Sequence, residues 1–596
     1  MLRKPVVLVV WLALALPGLL FQSAGTDREL IAAEPLAPAS QWLPQNTVIV
    51  FEVSRPGALL DLALAPKTVE AVTSLPPYQK LASQPGFQQF RGAVDYLEFK
   101  LKTDWKTAVR KLLGGGVTFA VAPGDAVLLI IDSEDAAMLN QLHETLLEFA
   151  RGNANNQGEP NRVASADYRG VTGWTFNKGE AHAIIDNRLV MTNKPDAIKA
   201  MLDLRAEPNG QSLAALPAYQ AAKEAAGSEA VATAFVNLAT LKQIPGVQKA
   251  LTNEQNPLAA LLFAGITEAV RESNWLAMGL SVEGDTLKLA TAVDGKVADP
   301  SGAAAFALPG EPDKGALPNL SVPGLIAGMS FYRDLHGFYA AKDELFPERS
   351  SGLIFFENMM GIFFTGRDLT EEVLAETQPE VRVVVAKQEY DPSVGTPQLQ
   401  IPAFAAIFRL RNPEKFAEIA EEAWQKALGL INFTRGQQAL PGLIIDKPTH
   451  GDTKFSAAHF SSADLEDKEK ADTRFNFSPA LAMVDDYLIL SSAEGLARNL
   501  IDAVKKEVAD SVKPLAGVHS VLEIDGRQVA AILGANRESM VRQNMVEEGR
   551  TQEEAEAQIG ILLSLVEYLG QAKLDVASRD GLSEASFQLK LNLPHD

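Results

Sequence analysis

The chain has 596 residues, 47% of them apolar, and a formal charge of −21. That length exceeds a single hydrophobic core and fits two or more domains. The absence of cysteine excludes disulfides, thiol catalysis, cysteine metal ligation and a lipid-modified N-terminal cysteine. The negative field disfavours nucleic acid and anionic lipid surfaces as partners.

Arg3 and Lys4 precede an apolar run from Val6 to Phe21, and Ser23, Ala24 and Gly25 follow it. This is the three-part layout of a secretory signal, with cleavage expected after Ala24 or Gly25. The run is short for a spanning helix and contains Pro17. We therefore expect a signal peptide over 1–25 and an exported protein, periplasmic or extracellular. Membrane contact would come only through an uncleaved N-terminal segment. A Pro/Ala-rich leader covers 26–42.

From residue 43 onward one order of elements occurs twice. Leu43-Pro44 and a strand over Thr47–Val53 match Val322-Pro323 and Leu325–Phe331 at an offset of 278. The strand Val117–Val121 matches Val381–Val385 at 264, and Val127–Asp132 matches Ala405–Leu410 at 278. Each of the latter strands runs into an amphipathic helix, marked by Met138, Leu142, Leu146 and Phe149 in one copy and Phe416, Ala420, Ala423 and Ala427 in the other. A hairpin over 183–192 matches 482–491 at 299. Strands at Val231–Val236 and Val518–Ile524 follow, then helices containing Leu261–Ile266 and Gly560–Leu565, then closing hairpins with Gly284-Asp285 and Asp580-Gly581 at their turns. Hairpin connections favour an α+β fold of two tandem homologous halves, each a mostly antiparallel sheet of six to eight strands packed with helices. The halves span 43–298 and 322–596, joined by a Pro/Gly/Ala-rich linker over 299–321.

The offset changes place longer loops in the second half, 14 residues within 386–402 and 21 within 430–475. Function tends to sit on loops held by a rigid scaffold. Five residues there, Tyr390, Asp391, His450, Asp452 and His459, are the candidate ligand or active-site loop. The matched Asp186 and Asp485 read instead as hairpin turn residues, since Asp tolerates positive φ. Gly114-Gly115-Gly116 follows a helix and enters a strand, the wrong order for a phosphate cradle, and reads as a helix-ending turn. Gly328-Met329-Ser330 begins a nucleophile elbow that Tyr332 breaks. No His-Glu-x-x-His spacing occurs, and no cofactor or metal is expected. His143, at the edge of an amphipathic face, reads as structural or exposed. The cluster Phe355-Phe356, Met359-Met360 and Phe363-Phe364 reads as a buried core helix, with an apolar ligand groove as the alternative.

The segments Leu43-Pro44-Gln45-Asn46-Thr47, Gly114–Val121, Tyr168-Arg169-Gly170-Val171 and Asp186-Asn187-Arg188-Leu189-Val190 carry a resemblance. With them the chain resembles an exported bacterial family defined by a domain of unknown function. The resemblance implies an extracytoplasmic location and an internally duplicated α+β fold, and it assigns no catalytic residue.

Three functional readings follow. The favoured one is a non-enzymatic exported component that binds a protein or small-molecule ligand or associates with the envelope. The second is a hydrolase whose site disperses over the second half's long loops. The third is a carrier of an apolar ligand.

Overall fold

The computed structural model describes residues 36–74, 76–177, 179–207, 211–244, 246–247, 256–295, 300–311, 313–348, 351–462, 471–579 and 582–592. The expected signal peptide, most of the leader, the turn at 580–581 and the charge run at 466–470 lie outside these residues. The fold is α+β, built on antiparallel sheet. By contacts the described residues divide into two compact units, those within 36–247 and 273–294 in one, and those within 256–272 and 295–592 in the other.

The strands of the first unit are β1 (Ile49–Val53), β2 (Gly116–Ala122), β3 (Ala126–Asp132), β4 (Ala164–Tyr168), β5 (Val171–Thr175), β6 (Ala181–Ile185), β7 (Arg188–Thr192), β8 (Ala232–Asn237), β9 (Trp275–Glu283) and β10 (Thr286–Val293). They lie in the order β4-β5-β6-β7-β3-β2-β1-β8-β9-β10, every neighbouring pair antiparallel. The second unit contains β11 (Leu325–Tyr332), β12 (Thr377–Ala386), β13 (Ala403–Leu410), β14 (Leu443–Asp446), β15 (Thr449–His450), β16 (Thr453–Lys454), β17 (Ser456–Phe460), β18 (Ala480–Val484), β19 (Tyr487–Ser491), β20 (Val518–Asp525), β21 (Leu569–Arg579) and β22 (Leu582–Leu591). Its order is β14-β17-β18-β19-β13-β12-β11-β20-β21-β22, again antiparallel throughout. The two orders are the same, position for position. Each unit contributes ten strands in this order, more than the six to eight expected, because β4 and β5 in one and β14 and β17 in the other carry no clear burial alternation. The second unit's extra residues after β14 form the separate β15–β16 ladder.

Local chemistry explains the elements. Alternation sets the strands: β2 and β7 bury every second residue. Asp186 and Asp485 have φ of 59° and 50° and close the β6–β7 and β18–β19 hairpins, as turn geometry requires. Helix starts are capped by Asp135, Asp334 and Asp525, whose carboxylates accept backbone N–H groups of the first turn. Gly114 ends the helix Trp105–Leu113, where a Cβ would meet the Arg110 carbonyl oxygen at 2.5 Å. Both units bury an arginine against a carboxylate. Arg188 lies 2.6 Å from Asp132 and stacks on Trp42 at 4.3 Å, while Arg382 binds Glu507 through two bonds of 3.0 and 2.7 Å. Trp42, at the end of the expected leader, is thereby buried.

Two segments depart from the sequence reading. The 299–321 stretch is not an exposed spacer, since Ala304, Ala307, Ala316, Leu317 and Leu320 are buried in the second unit's core clusters. Ala316 pairs with the 515–518 segment through backbone bonds of 2.7 and 2.8 Å. Its small apolar side chains fit a close approach that bulkier linker residues would block. The helix Pro257–Glu272 was expected in the first half and packs within the second unit. It buries Ala260, Ala264, Gly265, Glu268 and Ala269, a stripe of mostly small residues at helical spacing.

Arg333 fastens that helix. The residue follows β11, is 2% exposed, and donates to the carbonyl oxygens of Leu261 (2.6 Å), Leu262 (2.8 Å), Ala307 (3.3 Å), Tyr332 (2.7 Å) and His519 (2.9 Å) and to Ser520 Oγ (2.9 Å). All six acceptors are neutral. Each helix carbonyl has a second lone pair to spare beside its helical bond. Burial pulls the Arg333 pKa down to about 10, so it stays charged at neutral pH. His519, 2% exposed, is pulled down to about 3, first by burial and then by the Arg333 charge.

Two outcomes follow. Arg333→Met strands several buried carbonyls and should lower stability by at least about 3 kcal/mol in urea unfolding, since each unpaired buried acceptor costs roughly 1–3 kcal/mol. His519 is neutral when folded and protonates when unfolded below its ordinary value near 6.5. Its contribution is therefore complete above that pH and lost as pH falls toward 3, with a slope near 1.4 kcal/mol per pH unit. His519→Phe should remove about one proton from the uptake on unfolding at pH 5, measured by the pH dependence of urea midpoints.

Candidate functional site

The five candidate loop residues fall into separate neighbourhoods, all in the second unit. Tyr390 donates its hydroxyl to Asn476 Oδ1 at 2.7 Å, and burial pushes its pKa up to about 12. Asp391 accepts the Ser393 N–H at 2.7 Å, a turn contact within its own loop. His450, on β15, bonds through Nε2 to Asp502 Oδ2 at 2.9 Å. Asp452 pairs with Lys505, which holds its carboxyl below the usual range. Asp502 and Lys505 both belong to the helix Glu494–Ala509, so these two candidates share one helix face. His459, on β17, faces Asp446 of the neighbouring β14 at 3.3 Å. Thus His450 and Asp452 come together, Tyr390 and Asp391 sit in one strapped loop, and His459 stands with a different partner. Among the described residues no group of three or more His, Asp or Glu could hold a metal ion.

The strap on the 386–402 loop is Asn476, 1% exposed. Its Oδ1 also accepts the Ile401 N–H at 2.8 Å, and its Nδ2 donates to the Leu399 and Thr473 carbonyls at 2.9 and 2.8 Å. Asn536 adds a reciprocal pair with the backbone of Gln400, both bonds 2.8 Å. The longer loop is thus held at both the tyrosine and its C-terminal end. Asn476 lies outside the loop it holds, and no local pattern in the chain marks it.

The helix Ser351–Phe363 corrects the core reading. Of its residues Leu353 is buried, whereas Phe355 is 67% exposed, Ile354 45% and Ile362 46%. At 100° per residue, Ile354, Phe355 and Ile362 fall on one face with Ser351 and Asn358, so that face is uncharged and its large side chains are apolar. Glu357, the helix's single charge, turns toward Tyr339, whose hydroxyl lies 3.4 Å away. Phe364, just beyond the helix, packs on the core cluster containing Trp424 and Leu428 and anchors the segment. The apolar composition was legible, but composition does not tell an inward face from an outward one.

Two features of the first unit had no counterpart in the sequence reading. A cleft of about 610 Å³ is lined by Ser40, Gln41, Tyr219, Gln220, Lys223 and Glu224, among others. Burial pushes Tyr219 up to about 12 at its edge. Separately, His143 meets His182 with Nε2 atoms 3.1 Å apart.

No family model matches the chain, and no curated protein matches it. Among solved structures, crystal form III of TP0453 is similar at 11% identity, covering 46% of this chain and 84% of that one, with a TM-score of 0.22. Crystal form I of TP0453 is similar at 10% identity, covering 42% and 76%, with the same score. Likenesses this slight carry no argument about fold or function. Among the described residues no helix is long and apolar enough to cross a membrane.

Asn476→Ala should free the 386–402 loop and cost about 2 kcal/mol or more, because it unpairs several buried backbone groups at once. Limited proteolysis should then cut within 387–402, whereas Tyr390→Phe, which removes one bond, should leave that loop resistant.

Proposed function

We propose that this protein is a non-enzymatic binding component acting outside the cytoplasm, and that the Ser351–Phe363 helix is its contact for an uncharged apolar ligand with an acyl chain. The observation that carries the reading is the exposed stripe of Ile354, Phe355 and Ile362 on a helix anchored at Leu353 and Phe364. Large apolar side chains grouped on one exposed face are characteristic of interaction surfaces. The stripe holds no charge and the chain carries −21, which supports a neutral ligand over an anionic one. The N-terminal layout of Arg3, Lys4 and the Val6–Phe21 run supports export. The shared strand order supports reading the two units as copies of one ancestral unit, with the contact helix a property of the second.

The test uses the absence of cysteine. Asn358→Cys, on the exposed stripe, takes a single environment-sensitive fluorophore with no competing thiol. Titration with a monoacylglycerol below its micelle concentration should shift the emission to the blue and saturate. Phe355→Ser with Ile362→Ser should weaken the interaction at least about tenfold, in line with roughly 1.5–3 kcal/mol for burying a large apolar side chain. Circular dichroism should show the fold unchanged, since both side chains are exposed. An unresponsive fluorophore, or equal affinity in the double variant, refutes the assignment.

A further inference from the structure

His143 lies on the helix Ala136–Asn156 and His182 on β6, both within the first unit. Their Nε2 atoms face each other at 3.1 Å. His182 is 2% exposed and its Nδ1 has no hydrogen-bond partner. The two Nε2 atoms are within hydrogen-bonding distance of each other, and two imidazole nitrogens meeting in this way can equally converge on one ion. In the β6–β7 register His182 stands opposite Met191, and in the β5–β6 register opposite Trp174. Directly opposed residues share a sheet face, so Met191 and Trp174 flank His182 on that face. Phe176 covers the His182 ring at 4.4 Å, and Trp174 lies 6.1 Å from the His143 ring.

We propose that His143 and His182 bind a soft monovalent metal ion of the Cu(I) class through their two Nε2 atoms, with the Met191 sulfur as third donor. The spacing fits: two nitrogens each about 2.0–2.1 Å from one ion stand 3.1 Å apart when the angle at the ion is roughly 100°. The donors are all neutral. A monovalent ion suffers less than a divalent one on entering such a buried, aromatic-walled place, and a thioether favours soft ions. Of the nearby charges, Glu144 acts on His143 from its own helix, and Arg151 lies over Trp174 at 5.2 Å. His143 is half-buried.

Ag(I), an air-stable ion of the same class, is the probe, titrated into the full chain with a competing chelator. One equivalent should bind tightly and quench tryptophan fluorescence through Trp174. His143→Gln should weaken binding at least about thirtyfold, and the nearly isosteric Met191→Leu by about three- to tenfold, with circular dichroism unchanged in both. Zn(II) should bind more weakly than Ag(I). Unchanged Ag(I) affinity in both variants would place the ion elsewhere in the chain and overturn the proposal. So would a site that prefers Zn(II), or one left empty at micromolar Ag(I).

Discussion

A guanidinium held in the interior by neutral acceptors is the constraint on which the second unit depends. Arg333 reaches two helix carbonyls, the 302–307 segment, its own strand and β20 in one fan of bonds. A charge so placed cannot be left half-solvated, because each missing acceptor is a buried donor without a partner. The elements around it therefore have little freedom to shift singly. Arg188 and Arg382 show the other solution, in which a carboxylate supplies the counter-charge and a ring covers the guanidinium. The carbonyl fan suits a junction of several elements better than a carboxylate would, since one carboxylate brings one element while five carbonyls bring several.

Much of the architecture was legible because it rests on local chemistry. The β6–β7 and β18–β19 hairpins show a period of two on either side of a turn residue that accepts positive φ, and those signals are contained within ten residues. The strand matches at offsets of 264, 278 and 299 all fall on equivalent positions of the two units. Where the reading failed, the missing information was long-range. The stripe of small residues in Pro257–Glu272 states that one face is buried and does not say against which unit. In Ser351–Phe363 the apolar residues go nearly all the way round, so periodicity gave no inward direction. His143 and His182 are 39 positions apart, on a helix and a strand, and become neighbours through sheet order alone.

The candidate loops illustrate a related point. Length alone suggested function at 386–402, yet Asn476 and Asn536 hold that loop through bonds to its backbone. An inserted segment of this kind is better described as an added piece of scaffold. One group of exposed apolar residues lies on a helix with few polar groups, where a search for catalytic side chains would not look. The surface that carries the proposed binding is thus set by what the fold leaves uncovered.

The placement of Pro257–Glu272 has a consequence for how the polypeptide is made. Synthesis runs from the N-terminus, so this helix emerges well before Arg333, and longer still before His519. Until then its stripe of Ala260, Ala264 and Ala269 has no wall to lie against, and it begins in a chain that has not yet finished β9 and β10. The first unit can close only when the chain has left it for this helix and returned. A holding factor that shields small-residue helices during synthesis would therefore matter more for this protein than for one whose units follow each other in order along the chain.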